Sequence, residues 1–237
     1  MRISGSGSLP GGDYQEAINI SGSGKITGNT SCTEFSISGS GNVEGDLRCT
    51  GKVKVSGNGK IKGNLDAAEV AVSGNGNIDG TLRCDNCSAS GNISANSFAT
   101  NTLHISGMCT SDGDVAAEDA VVRGGLSVGG LINTEKLDVM FDFDSSANAI
   151  GGSFIKIRRK GAVAGLFVRL FGMLKNAMFH VNTSIEGDVI DIEYVEAESV
   201  IGRDVKIGPG CKIGCVIYGE TISIDNSATV GVCNQGE

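Results

Sequence analysis

An apolar residue followed by Ser-Gly, or by a close variant of it, recurs eight times before residue 125, at Ile3, Ile20, Ile37, Val55, Val72, Ala89, Ile105 and Val122. The steps are 17, 17, 18, 17, 17, 16 and 17 residues. Repetition at so constant an interval means one supersecondary unit stacked on copies of itself. The interval also chooses the unit, because helical solenoids need about 33 residues or more per repeat and leucine-rich repeats about 20 to 29. A coil of three short strands and three corners needs close to the observed number, and it advances by the strand spacing of about 4.8 Å.

The clearest copy lies between Val55 and Val72. There Ser56-Gly57-Asn58-Gly59 precedes Ile61, Gly63, Leu65, Ala67, Val70 and Val72, a two-residue alternation broken by glycines. Alternation places one face of each strand inward. Glycines at fixed offsets, among them Gly22, Gly39, Gly57 and Gly74, are expected to supply positive φ at tight corners. The chain is therefore predicted to be all-β, a parallel β-helix of about 17 to 18 residues per coil. Ile20, Ile37, Val55, Val72, Ala89, Ile105 and Val122 should form one internal ladder, and Ile26, Val43, Ile61 and Ile78 another. Lys52, Lys54 and Glu69 should point outward. Thirty-seven glycines, two prolines, no tryptophan and 5% aromatics suit a thin aliphatic core.

Three segments are expected: a β-helix block over 1–139, a basic apolar insert over 140–184, and a second β-helix block over 185–237. Residues 154–179 hold six basic residues (Lys156, Arg158, Arg159, Lys160, Arg169 and Lys175), no acidic one, and four of the eight phenylalanines. The rest of the chain keeps thirteen basic against 27 acidic residues. Val163, Phe167, Leu170, Phe171, Leu174 and Met178 fall on one face of a helix, with Gly165, Arg169, Gly172 and Asn176 opposite, which predicts a short amphipathic helix. Charges at Arg169 and Lys175 exclude a membrane span, which wants about 20 mostly apolar residues. Two readings remain: an element that covers the solenoid, or an interaction site using Lys156, Arg158, Arg159, Lys160, Phe167, Arg169 and Phe171 against an anionic membrane surface or a client protein. In the last block Ile201-Gly202, Ile207-Gly208 and Ile213-Gly214 are six residues apart, a hexapeptide rhythm. Ile190, Ile207 and Ile224 suggest a continued column.

The opening Gly5-Ser6-Gly7 through Gly11-Gly12-Asp13-Tyr14 and the stretch from Ile185-Glu186-Gly187-Asp188 to Ile207-Gly208-Pro209-Gly210-Cys211, together with the tandem Gly-rich coils, resemble the bactofilin family. The chain is similar to the long bactofilin-like polymer-forming proteins of Firmicutes. That resemblance covers nearly the whole chain, and its most specific part is 194–211. It implies a right-handed β-helix in the cytoplasm that polymerises without nucleotide and localises partners in morphogenesis, envelope synthesis or motility. It supplies no catalytic residues. A standard member is one short β-helix between flexible tails, whereas two solenoid blocks flank an insert here. Polymerisation also has a physical motive, because an open coil end exposes backbone groups and core until a cap or another copy covers them.

Other chemistries find little footing. Cys84 and Cys87 form a lone C-x-x-C and Cys211 and Cys215 lie four apart, which could suggest zinc. Cys32, Cys49 and Cys84 fall at the repeat position of Ala67, however, so they read as small buried apolar residues. No signal-like segment opens the sequence, so reduced thiols and a cytoplasmic setting, at most along the inner membrane face, are expected. Gly22-Ser23-Gly24 and Gly57-Asn58-Gly59 lack the Lys-Ser/Thr ending and the following helix of a phosphate loop. A hexapeptide-repeat acyltransferase is the enzyme alternative, and a capped monomeric binding module the other. The only histidines, His104 and His180, lie in different blocks, so no catalytic, metal or cofactor constellation is expected. A pI near 4.8 argues against nucleic acid.

Overall fold

A computed structural model of the chain describes residues 1–160 and 177–236. The described residues contain strands and turns and no helix. They fall into two compact units, Met1–Asp119 and Ala120–Glu237. The strand ladders are parallel, and each pairs a residue with its counterpart one coil later. The chain is thus a parallel β-solenoid.

In the first unit the repeat phrase is a physical column. Ile3 pairs with Ile20, Ile20 with Ile37, Ile37 with Val55, Val55 with Val72, Val72 with Ala89 and Ala89 with Ile105. A second column runs Ile26, Val43, Ile61, Ile78, and a third Leu47, Leu65, Leu82, Phe98. All of these side chains are buried. Like residues therefore stack on like, and the unit's core is a set of aliphatic ladders rather than a globular interior. On the outer face Lys52 and Glu69, one coil apart, form an ion pair at 2.6 Å.

The corner glycines act for a different reason from the one expected. Positive φ is found at Gly12, Gly28, Gly124 and Gly210, and not at Gly22, Gly39, Gly57 or Gly74. Those four instead stack on one another. A Cβ on Gly57 would lie 2.0 Å from the carbonyl oxygen of Gly39, and one on Gly74 would lie 2.1 Å from that of Gly57. The corner brings successive backbones too close for any side chain.

The second glycine of each Gly-x-Gly phrase has its own role. Gly24 and Gly41 face inward, where a Cβ would meet Ile20 at 2.8 Å and Ile37 at 2.7 Å. The missing volume is the space that the preceding ladder residue fills. Where that residue shrinks to Ala89, the glycine position aligned with Gly76 becomes Ile93, so the layer stays filled.

The second unit keeps the architecture with less regular sequence. Its columns include Val139, Ile157, Ile192, Ile207, Ile224 and Ile132, Ile150, Ile185, Val200, Val216. Ile190 belongs to another column, between Ile155 and Val205. The 17-residue step from Ile190 to Ile207 therefore crosses columns, because this coil is two residues short and Ile207 stands on Ile192. The hexapeptide rhythm likewise mixes environments: Ile207 and Ile213 are buried, while Ile201 is exposed.

The insert is narrower than the sequence suggested. Strand pairing continues through Ser145–Arg159 and resumes at Phe179–Ile192. The two strands are in register with Ser145 on Phe179 and Ile157 on Ile192, an offset of about two coils. All the added length enters at one corner, between Lys160 and Ala177. Residues 154–159 are strand and not helix, because Ile155 and Ile157 alternate inward with Phe154, Lys156 and Arg158. Of the proposed helical face, Val163, Phe167, Leu170, Phe171 and Leu174 lie outside the described residues, and Met178 stands just before strand Phe179–Ile192 without helical structure.

Gly57→Ala should destabilise the protein by about 1–3 kcal/mol, since backbone must move to admit the methyl. Gly5→Ala, with nothing within 4 Å of its Cβ, should stay within about 0.5 kcal/mol of wild type. Denaturant melts of the two variants check this, and equal losses would refute the stacking account.

Candidate functional site

The basic residues singled out in the sequence converge on the corner where the extra length enters. Arg158 reaches back across the coil to Asp191, with Glu193 at 3.6 Å, and Lys206 approaches the other oxygen of Asp191 at 3.5 Å. Lys160 lies 3.4 Å from Asp142. Lys156 stands in register with Asp191 and is exposed. Arg159 stacks on the Tyr194 ring, 3.4 Å above its centroid. Guanidinium on an aromatic face is a cation–π contact, stronger as water is excluded. Much of this basic cluster is therefore engaged by carboxylates and by Tyr194. Phe167, Arg169 and Phe171 lie outside the described residues.

Tyr194 makes the corner unusual. Its φ of 55° places a non-glycine residue in the left-handed region. One coil on, Gly210 has φ 69°, and a Cβ there would sit 2.5 Å from Tyr194 Cδ1. Arg159, Tyr194 and Gly210 thus form a stack over successive coils, closed at its far end by a residue that must be glycine. The same corner holds both ends of the added segment: the Lys160 amide donates to the Phe141 carbonyl at 2.7 Å, and the Met178 amide donates to Asp144 Oδ1 at 3.2 Å. Phe141 and Phe179 meet edge to face beneath it, centroids 5.8 Å apart. The strand-like alternation of 154–159 could have revealed this anchoring; the Tyr194 stack had no signal in periodicity.

Two further features bear on chemistry. On the outer side of the inward glycines, the first unit carries a shallow groove of about 830 Å³. Asn58, Asn75 and Asn92 wall it, Asn75 donating to Asn58 at 2.9 Å and Asn92 to Asn75 at 3.1 Å. Its lining holds amides, hydroxyls and two lysines, Lys25 and Lys60, and no carboxylate, cysteine or histidine. Six of the cysteines are buried, and burial pushes the Cys109 thiol up to about 12. Cys32 and Cys49 stack in register with Sγ atoms 3.0 Å apart. Cys84 pairs instead with Ala67 and Thr100 in its column, and its acidity is raised chiefly by a hydrogen bond from Cys87. His104 and His180 are both exposed, His180 lying 3.7 Å from Glu196. Among the described residues, no three His, Cys, Asp or Glu side chains gather as a metal site. No helix among them is long and apolar enough to cross a membrane.

Stacked ladders and glycine corners define a parallel β-solenoid. The bactofilin family model, described as polymer-forming cytoskeletal, matches residues 1–72 and again 42–133, more than half of the chain. The chain belongs to the bactofilin family. Among curated proteins, the uncharacterized protein YhbF of Bacillus subtilis (strain 168) is 37% identical over 90 residues, covering 38% of this chain and 34% of YhbF. The uncharacterized protein YhbE of the same organism is 31% identical over 105 residues, 44% of this chain and 42% of YhbE. The chain thus spans well under half the length of these relatives. No solved structure matches it.

Surface carboxylates tie neighbouring coils together, and their acidity records it. Lys25 and then Lys62 hold the Glu44 carboxyl below its ordinary 4.5. The Thr221 hydroxyl, then Arg203, hold Asp204 below 3.8. A depressed folded value stabilises the fold above the unfolded pKa and ceases to do so as pH falls through the folded one. The melting temperature should hold steady from about pH 7 to 5 and decline below about pH 4.5. Glu44→Gln should blunt that decline in thermal melts followed by circular dichroism; an unchanged acid limb would refute Glu44's share.

Proposed function

We propose that this chain is the subunit of a non-enzymatic cytoplasmic scaffold that assembles coil upon coil without nucleotide and recruits partners through its 161–176 segment. The observation that carries the assembly is the match to a family model described as polymer-forming cytoskeletal, on a body whose parallel ladders repeat in register from coil to coil. Contacts that continue such a repeat between copies build open filaments when they do not close into a ring.

The 161–176 segment supports a recruiting role by its sequence and by the corner that holds it. It brings Arg169, Lys175, Phe167 and Phe171 to one place on an otherwise acidic chain. Such a pairing of cations with bulky apolar side chains suits an anionic membrane face or an acidic client. The corner strands need their own charges for Asp191, Glu193 and Asp142, so recruitment falls to the segment rather than to Arg158 or Lys160.

Purified protein without nucleotide or metal should form thin uniform filaments in negative-stain electron microscopy and should pellet on ultracentrifugation. Replacing 161–176 by a short Gly-Ser linker should preserve filaments and remove co-sedimentation with anionic vesicles. A compact monomer at every concentration tested would overturn the assembly reading, and unchanged vesicle binding the recruiting one.

A further inference from the structure

We propose that Cys32 and Cys49 are an oxidative modification site, closing into a reversible disulfide that staples two successive coils of the first unit. The two residues are Cα partners in a parallel ladder, following the Thr30–Leu47 and Ser31–Arg48 pairs. In-register parallel strands sit about 4.8 Å apart, inside the usual Cα window of about 4.4 to 6.8 Å for a disulfide. The Sγ atoms are 3.0 Å apart. A bonded pair needs about 2.0 Å, so closure asks for a movement of about 1 Å without any change of register.

Within its column the pair stands apart, whereas the thiol beside Cys84 is Cys87 of the same strand. Cys84 stacks on Ala67 below and Thr100 above, so it has no vertical thiol partner. Ala67 follows Cys49 in the repeat, which leaves Cys32 and Cys49 as the one adjacent cysteine pair in this column.

Both side chains are 4% exposed, which restricts the reaction to a small oxidant such as hydrogen peroxide and keeps bulky thiols away. The hydrogen bond from Cys49 lowers the Cys32 pKa, marking Cys32 as the sulfur that first becomes thiolate. That thiolate attacks the peroxide O–O bond, giving a sulfenic acid and hydroxide, which takes up a proton to become water. The Cys49 sulfur then attacks the sulfenic sulfur, the S–S bond forms, the S–O bond breaks and a second water leaves. Two electrons pass from the thiols to the peroxide, and a dithiol reductant reverses the step once the coils open to admit it.

The staple closes a 17-residue separation and prevents the second and third coils from parting. The full chain, with Cys215 and Cys233 changed to Ser to remove the less buried thiols, is treated with hydrogen peroxide, denatured and alkylated. Two of its six remaining thiols should be lost and regained with dithiothreitol. Cleavage after Lys25 and Arg48 separates the two cysteines, so a linked pair of peptides should appear in the mass spectrum. Unfolding in denaturant should be at least tenfold slower for the oxidised protein, and Cys49→Ala, which copies Ala67, should show neither effect. Six free thiols after oxidation, a link between other cysteines, or sulfinic acid in place of the link would overturn the assignment. Wild-type peptide mapping decides the matter even if Cys49→Ala does not fold.

Discussion

Register between successive coils is the constraint on which the structure depends. Parallel pairing repeats every residue's environment one coil later, so a single slip would move a whole set of side chains from core to solvent. Identical stacking is safe only where each coil has nearly the same length and volume. The first unit meets that condition twice over, by glycine corners that admit no side chain and by layers in which Val72 with Gly76 is exchanged for Ala89 with Ile93. The second unit meets it differently. Its coils vary in length, and irregularities such as that between Val181 and Ser184 absorb the difference while the inward columns stay aligned.

The corner around Tyr194 shows how such a repetitive body accepts an irregular part. Added chain can leave a coil at a corner, where no ladder hydrogen bond need be broken, provided that both ends are fastened. Backbone bonds at Lys160 and Met178, the Phe141–Phe179 contact and the Arg159–Tyr194 stack provide the fastening. Left-handed backbone at Tyr194 is costly for a residue with a side chain, by roughly 1–3 kcal/mol. Packing of the ring between Arg159 and Gly210 offsets that strain. That strain sits beside the corner at which the extra length enters.

Membership of a family described as polymer-forming cytoskeletal sits well with a core of ladders that repeat from coil to coil. A solenoid has no pocket-building loops to spare, because 17-residue coils are consumed by three strands and three corners. What it can offer is a repeated flat surface. The groove of the first unit illustrates the point: its Asn58, Asn75 and Asn92 amides bond to one another along the stack and converge on nothing.

The strict 17-residue step, the alternation and the glycine positions were enough to read the coil, the Ile20 and Ile26 ladders and the family from the amino-acid order alone. Periodicity is a local property, and stacking in register turns it directly into neighbours. The sequence could not tell why Gly22, Gly39, Gly57 and Gly74 are glycine, since positive φ and close backbone approach select the same residue. It could not align Ile190, because a coil two residues short changes which isoleucines meet without changing their spacing. Nor could it separate the strand residues 154–159 from the segment beyond Lys160, since basic and apolar residues continue across that position without a break. Those choices are made between coils, by the distance of a carbonyl oxygen from a missing Cβ and by the carboxylates that the next turn brings to Arg158. Composition supplies the residues; only the stacked chain decides which of them face each other.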